Sequence, residues 1–258
     1  MRIAVLVKDV PDLVEELELD ESGRGLAVDD LSYVPSEWDD QALEEALLLK
    51  EASGAHVSAV ALDTGDIDNM LYAALAKGAD RAVKLVGDYD RTMPGRQRAR
   101  ILADYLAGAG YDLIMTGVQA VDDLDGQIAG LLGGMLGWPH ASVVRDVALG
   151  ADASGAVGFV QEYAGGRMAE FRSATPLVLG VQAAKKPPRY VPIARIRQVS
   201  RSATLEEVEA GAPTSESLLA IERLYRPEAQ GHATMWEGDA AEVAAALMAL
   251  LDEQHLRS

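Results

Sequence analysis

The feature that most constrains this chain is a strict alternation of short apolar runs and helical segments across its first half. RIAVLVK at 2–8 reads as a strand, and DDQALEEALLLKEASG at 39–54 as a helix, with Ala42, Leu43, Ala46, Leu47 and Leu49 on one face and Gly54 as the stop. HVSAVAL (56–62), RAVKLV (81–86) and YDLIMTG (111–117) are further strands. Helices over 67–80 and 94–110 separate them, and another helix begins near Gly126. Strands that are apolar throughout and joined by helices predict a parallel sheet covered on both faces.

The pattern changes beyond residue 140. ASVVRDVALG (141–150), AVGFVQEY (156–163) and RMAEFRSA (167–174) are strand-like, with a hairpin turn at Ala164-Gly165-Gly166, and TPLVLGVQ (175–182) reads as a strand returning to the sheet. A Pro- and Arg-rich excursion follows, then a polar, acidic stretch and an amphipathic helix, DAAEVAAALMALLDE, over 239–253. The expected organisation is an α/β domain with a β-hairpin extension over 1–182, a reaching arm over 183–235, and a C-terminal helix over 236–258. An arm of that length rarely orders without a partner to lie on.

Charge and cysteine usage narrow the chemistry. A net charge of −18 argues against nucleic acid or anionic lipid as a general partner. Zero cysteines exclude disulfides, thiolate metal sites and Cys nucleophiles, and suit a reducing, cytoplasmic interior. The first apolar run is too short for a signal peptide, and no later run approaches a membrane span. Against the acidic whole, KKPPRYVPIARIRQVSR (185–201) holds six basic residues and no acidic one. It is either a solvated basic loop or a docking segment, and Val191, Ile193 and Ile196 among the charges favour docking.

The stretch GVQAVDDLDGQIAG (117–130) concentrates the candidate chemistry, because it follows the fourth main strand and opens a helix. Asp122, Asp123 and Asp125 lack the calcium-loop spacing and its distal glutamate, and no His, Ser or Lys nearby completes a catalytic constellation. The four histidines are scattered without ligand spacing. An anion cradle has a better physical basis: Gly126 permits close backbone approach, the first N–H groups from Gln127 onward are free, and the aspartates can cap the helix or accept from ribose hydroxyls. The alternative is an Asp-capped helix start with no ligand. KDVPD after the first strand carries neither the dinucleotide fingerprint nor a phosphate-binding loop, so a bound nucleotide is held and not turned over.

Taken in order, VLVKDVPD, DDQALEEALLLKE, ALAKGADRAV, GVQAVDD…GQ, GWP, the AGG hairpin, PLVLGVQ, PPRY and EGDAAEVAAALMALLDE give the chain a near end-to-end likeness. It resembles the small (beta) subunit of electron transfer flavoprotein. The resemblance implies an adenine-nucleotide-hydrolase-like α/β fold without hydrolase activity, in an electron carrier and not an enzyme. It also implies an alpha subunit carrying most of an FAD site, and electron flow from acyl-CoA-type dehydrogenases, as in fatty acid oxidation, to a quinone reductase.

By position, the family's AMP would contact Leu6; Ser36, Glu37, Trp38 and Asp39; Leu62; and Gln119, Ala120, Val121, Asp122, Asp123, Leu124, Asp125, Gly126, Gln127, Ile128, Ala129 and Gly130. Leu13 stands where many members place an aromatic near the flavin. Ile193 occupies the apolar anchor position of the family's recognition loop, with Arg189, Tyr190, Arg195 and Arg197 around it. Two departures are notable: SEWD replaces Asn-Pro-aromatic-Asp, and Ala129 adds a Cβ expected to crowd a phosphate close to the backbone. A stand-alone, stress-protein-like nucleotide module on the same fold is the alternative, but it gives the arm no task.

Overall fold

The computed structural model describes residues 1–27, 31–123, 125–150, 155–212, 221–226 and 235–254. Strand β1 (Arg2–Leu6) has Ile3, Ala4 and Val5 sealed from solvent on both faces, which only a central strand of a covered sheet achieves. A short ribbon follows, β2 (Asp9–Pro11) against β3 (Tyr33–Pro35), antiparallel. The sequence did not announce it, because three-residue strands carrying proline have no periodicity to detect. Arg91 fastens it, stacking 4.1 Å from the Tyr33 ring and pairing with Asp9 at 2.7 Å.

Helix α1 (Glu37–Ser53) leads to β4 (His56–Leu62), α2 (Asp68–Lys77), β5 (Arg81–Val86), α3 (Gly95–Ala109), β6 (Leu113–Gly117) and α4 (Ile128–Leu136). Then come β7 (His140–Leu149), β8 (Val157–Tyr163), β9 (Arg167–Ser173) and β10 (Leu177–Val181). The last elements are α5 (Ile193–Ser200), β11 (Glu206–Glu209) and α6 (Ala240–Glu253). The nine-stranded sheet runs β11-β5-β4-β1-β6-β10-β7-β8-β9. It is parallel from β11 to β7, and β8 and β9 extend it antiparallel.

The apolar side chains divide by strand parity. Ile3, Val5, Val57, Ala59 and Ala61 face α1 and α2, whereas Ala4, Leu6, Val60 and Leu62 face α3 and α4. The fold is therefore the covered α/β sheet with hairpin extension that the sequence predicts. Two parts of the arm were not legible. IARIRQVS forms a helix, started by Pro192 with its preset φ, and acidic EEVE pairs with β5 as the edge strand. β11 stays paired because β5 opposes it with cations: Arg81 meets Glu206, and Lys84 meets Glu207 at 3.0 Å.

The chain divides into two compact units, Met1–Arg223 and Leu224–Ser258, so the arm through β11 belongs to the sheet domain. In the second unit, α6 is closed by a capping box between Asp239 and Glu242, and it leaves Leu247, Met248 and Leu250 over 40% exposed.

Candidate functional site

From β1 the chain moves one way to β4 and β5, then returns to the other side of β1 for β6 and β10. That reversal opens a crevice beyond the carboxyl ends of β1 and β6, where open parallel sheets accept ligands. A solvent-connected cleft of ≈ 650 Å³ lies there. Leu6, Val60, Leu62 and Leu102 give it an apolar wall, while Lys8, Arg98, Thr116, Gln119 and Asp123 contribute polar groups.

Asp39 holds the mouth of the cleft together. Its Oδ1 accepts the Gly117 N–H at 2.9 Å and its Oδ2 the Lys8 N–H at 3.0 Å, tying α1 to the ends of β6 and β1. Burial pushes the Asp39 carboxyl up to about 7, against the opposing pull of the Lys8 charge and the two N–H groups. Glycine is required at Gly117, since a Cβ there would sit 2.6 Å from Asp39 Oδ1 and 2.8 Å from the Trp38 backbone. It is equally required at Gly126, where φ is +62° and a Cβ would fall 2.7 Å from the Val118 carbonyl oxygen.

The loop between β6 and α4 turns back on itself through paired Ala120 and Asp123 backbone bonds at 3.0 and 3.1 Å. Gln127 at the N-cap of α4 has helical dihedrals and makes no side-chain cap bond, and among the described residues no aspartate caps the helix. Asp122 instead reaches across to pair with Lys8, and Asp125 is exposed. Among the described residues, the first N–H groups of α4 are therefore clear of side-chain acceptors, as an anion cradle needs.

Of the sequence-derived positions, Leu6, Asp39, Leu62, Gln119, Ala120, Asp123, Gly126 and Ile128 line the cleft. Leu124 lies outside the described residues. Glu37 and Gln127 are exposed, and Trp38 and Val121 are half-buried away from the lining. Ser36 is buried, its Oγ without a partner among the described residues, against a neighbouring hollow of ≈ 500 Å³ that shares Lys8 and Asp39 with the cleft.

The Ala129 methyl does not line the cleft. It is buried in the core beneath β10, where a Cβ on Gly180 would come within 3.3 Å of it, and Gly130 faces His140. The turn of α4 rotates both positions away from the cleft. Conversely, the cations missing from the loop come from elsewhere: Lys8 from the end of β1 and Arg98 from the first turn of α3. Lys8 was visible as the charge ending the first strand, whereas nothing in local sequence marked Arg98.

The basic arm has an anchored base and an exposed tip. Three α1 side chains take its backbone: Gln41 accepts the Ala184 N–H at 2.9 Å, Glu45 the Lys185 N–H at 2.7 Å and Glu44 the Arg189 N–H at 3.0 Å. Arg189 adds side-chain bonds to Glu44 and to Glu51, so its guanidinium is committed to α1. Burial pushes the Glu45 carboxyl up, and bonds from the Lys185 and Val147 N–H groups oppose it. Beyond this ladder, Tyr190 is 84% and Ile193 65% exposed, with Arg195 and Arg197 exposed beside them. Leu13, in the loop after β2, is likewise exposed. Among the described residues, no helix is long and apolar enough to cross a membrane.

Comparison with known proteins agrees with this geometry. Residues 25–213 match the electron transfer flavoprotein domain. The chain is 34% identical to the electron transfer flavoprotein subunit beta of Methylophilus methylotrophus, over 98% of each chain. It is 27% identical to that of Bacillus subtilis (strain 168) over 97% of each, and 27% identical to that of Homo sapiens over 82% of each. A parallel sheet with a crevice at its strand reversal, a hairpin extension and an ordered basic arm thus coincide with near full-length similarity, and the chain belongs to the electron transfer flavoprotein family as a beta-type subunit, an electron-carrier component and not a catalyst.

Proposed function

We propose that this beta subunit joins an alpha subunit carrying most of an FAD site, keeps an AMP in its own crevice as a structural ligand, and docks an acyl-CoA-type dehydrogenase through α5. Electrons would leave the heterodimer for a quinone reductase, in the reducing cytoplasm that a cysteine-free chain suits.

The observation that carries this reading is the convergence of eight adenylate positions, distant in sequence, on one cleft at the strand reversal. The residues fit the ligand. Leu6 and Leu62 offer an apolar wall for a base, the α4 start offers main-chain donors for a phosphate, and Gly126 keeps that approach open. These residues bind and orient; none is set beside a partner that would make it an acid, base or nucleophile. The flavin supplies the redox chemistry when bound, and exposed Leu13 offers it an apolar contact.

On the docking side, an exposed apolar residue among arginines suits a small hot spot with electrostatic steering. Ile193 is the anchor, Tyr190, Arg195 and Arg197 surround it, and Arg189 sets the base of the arm. Exposed Leu247, Met248 and Leu250 on α6 suit contact with the alpha subunit. Co-expression with an alpha subunit should give a yellow heterodimer, while the beta chain alone binds little FAD. A purified single chain that stays yellow contradicts this division of labour.

A further inference from the structure

Arg98 is held at the cleft by main-chain carbonyls and, among the described residues, by no carboxylate. It lines the cleft from the first turn of α3, where Nε donates to the Met93 carbonyl at 2.9 Å and Nη2 to the Arg91 carbonyl. Among the described residues, Nη1 has no partner and no carboxylate pairs with the guanidinium. Carbonyl oxygens orient a cation but do not neutralise it, so a largely desolvated positive charge faces the crevice. Burial pulls the Arg98 pKa down, and the charges of Asp122, Asp9, Asp123 and Asp90 oppose that shift.

Two of those carboxylates are already engaged: Asp122 with Lys8 and Asp9 with Arg91. The first turn of α3 also reverses the usual preference, with Arg96 and Arg98 and no acidic residue at the positive end of the helix. Cations at a helix start, one of them desolvated, are stabilised when an anion shares the space. Across the cleft, Lys8 is a second cation, held by an exposed aspartate on a turn.

We propose that Arg98 and Lys8 form the phosphate-reading pair of the cleft, making it select a phosphorylated adenylate over the neutral nucleoside. Asp122 holds the phosphate's place on Lys8 until the ligand arrives. This inference rests on the nucleotide reading above and adds the two residues that set ligand charge class. Main-chain donors at α4 position the phosphate, and the two side chains supply the charge that backbone amides lack. The loop itself could not, since it contains three aspartates and no cation.

The test is calorimetric titration of the full chain, dialysed free of nucleotide, with AMP, adenosine and inorganic phosphate. The unsubstituted chain should bind AMP at least about tenfold more tightly than adenosine, as hydrogen bonds to charged groups permit. Arg98→Met, which keeps the aliphatic stem, should remove most of that advantage while leaving adenosine affinity unchanged, and Arg98→Lys should restore part of it. Asp122→Asn, which frees Lys8, should tighten AMP several-fold. An unaltered AMP-to-adenosine ratio in Arg98→Met overturns the inference, as does equal loss of both ligands with circular dichroism unchanged. If AMP and adenosine bind the unsubstituted chain equally, the nucleotide site stands and the phosphate-reading pair falls. If neither binds, the nucleotide reading itself fails.

Discussion

Four hydrogen bonds join Arg189 to Glu44: Nη2 donates to Oε1 at 2.8 Å, Nε to Oε2 at 2.9 Å and to Oε1 at 3.2 Å, and the Arg189 backbone N–H to Oε2 at 3.0 Å. The Glu44 side chain is only 4% exposed, against 31% for Arg189, so this contact sets where the arm leaves the body. Burial alone would raise the Glu44 carboxyl, but the Arg189 bonds and charge together hold it below its ordinary value.

Arg189→Ala should therefore destabilise the domain by about 3 kcal/mol at neutral pH, because it strands a buried carboxylate. A lowered folded-state pKa contributes stability above the unfolded value, and that contribution is lost as pH falls through the folded pKa. The difference between the two proteins in urea unfolding should accordingly shrink on acidification below pH 4.5. A difference that is small and independent of pH contradicts the clamp.

Asp39 carries the opposite sign. Its pKa rises from 3.8 to about 7 on folding, so the native state holds a proton that the unfolded chain has released between those values. Its contribution to stability must fall as pH rises from about 4 to 7 and level off above. Asp39→Asn removes the titration. The melting-temperature difference between the unsubstituted protein and the variant should drift in favour of the variant across that window. A flat difference from pH 5 to 8 means Asp39 is ionised throughout.

Gly126→Val asks a β-branched residue to adopt φ +62° with a Cβ 2.7 Å from the Val118 carbonyl oxygen. The backbone strain alone costs roughly 1–3 kcal/mol. The variant should melt earlier and lose nucleotide, since the loop that lines the cleft must shift. Retention of both stability and ligand would show that the loop is adaptable.

Ile193→Asp alters only an exposed tip, 65% accessible and apart from the arm's anchoring bonds. Electron acceptance from an acyl-CoA-type dehydrogenase should be abolished while heterodimer assembly is intact. Unchanged turnover in a flavin-reduction assay refutes the anchor role.

What the sequence displayed and what it hid follow from range. Central strands such as β4 and β6 are buried on both faces, so VSAVAL and LIMTG stand out as unbroken apolar runs, and Gly126 stands out because its neighbours form an acidic turn before a helix. EEVE did not, since an acidic tetrapeptide becomes a strand only when Arg81 and Lys84, over a hundred residues earlier, lie alongside it. Lys8 is 114 residues from Asp122, and only the strand order brings them together. The same holds for Arg98, whose charge means nothing until α3 is placed beside the crevice. Ala129 shows the converse: its place beside the candidate cradle is plain in the sequence, but only the helix phase reveals that its methyl turns into the core.

A crevice between β1 and β6 that retains an adenylate, and does not convert it, should yield that adenylate when the protein unfolds. Mass spectrometry of the small molecules released when the purified heterodimer is denatured tests it most directly. AMP should appear in near one-to-one ratio with the beta chain, alongside FAD. Release of FAD with no adenine mononucleotide, or of no nucleotide at all, would contradict it.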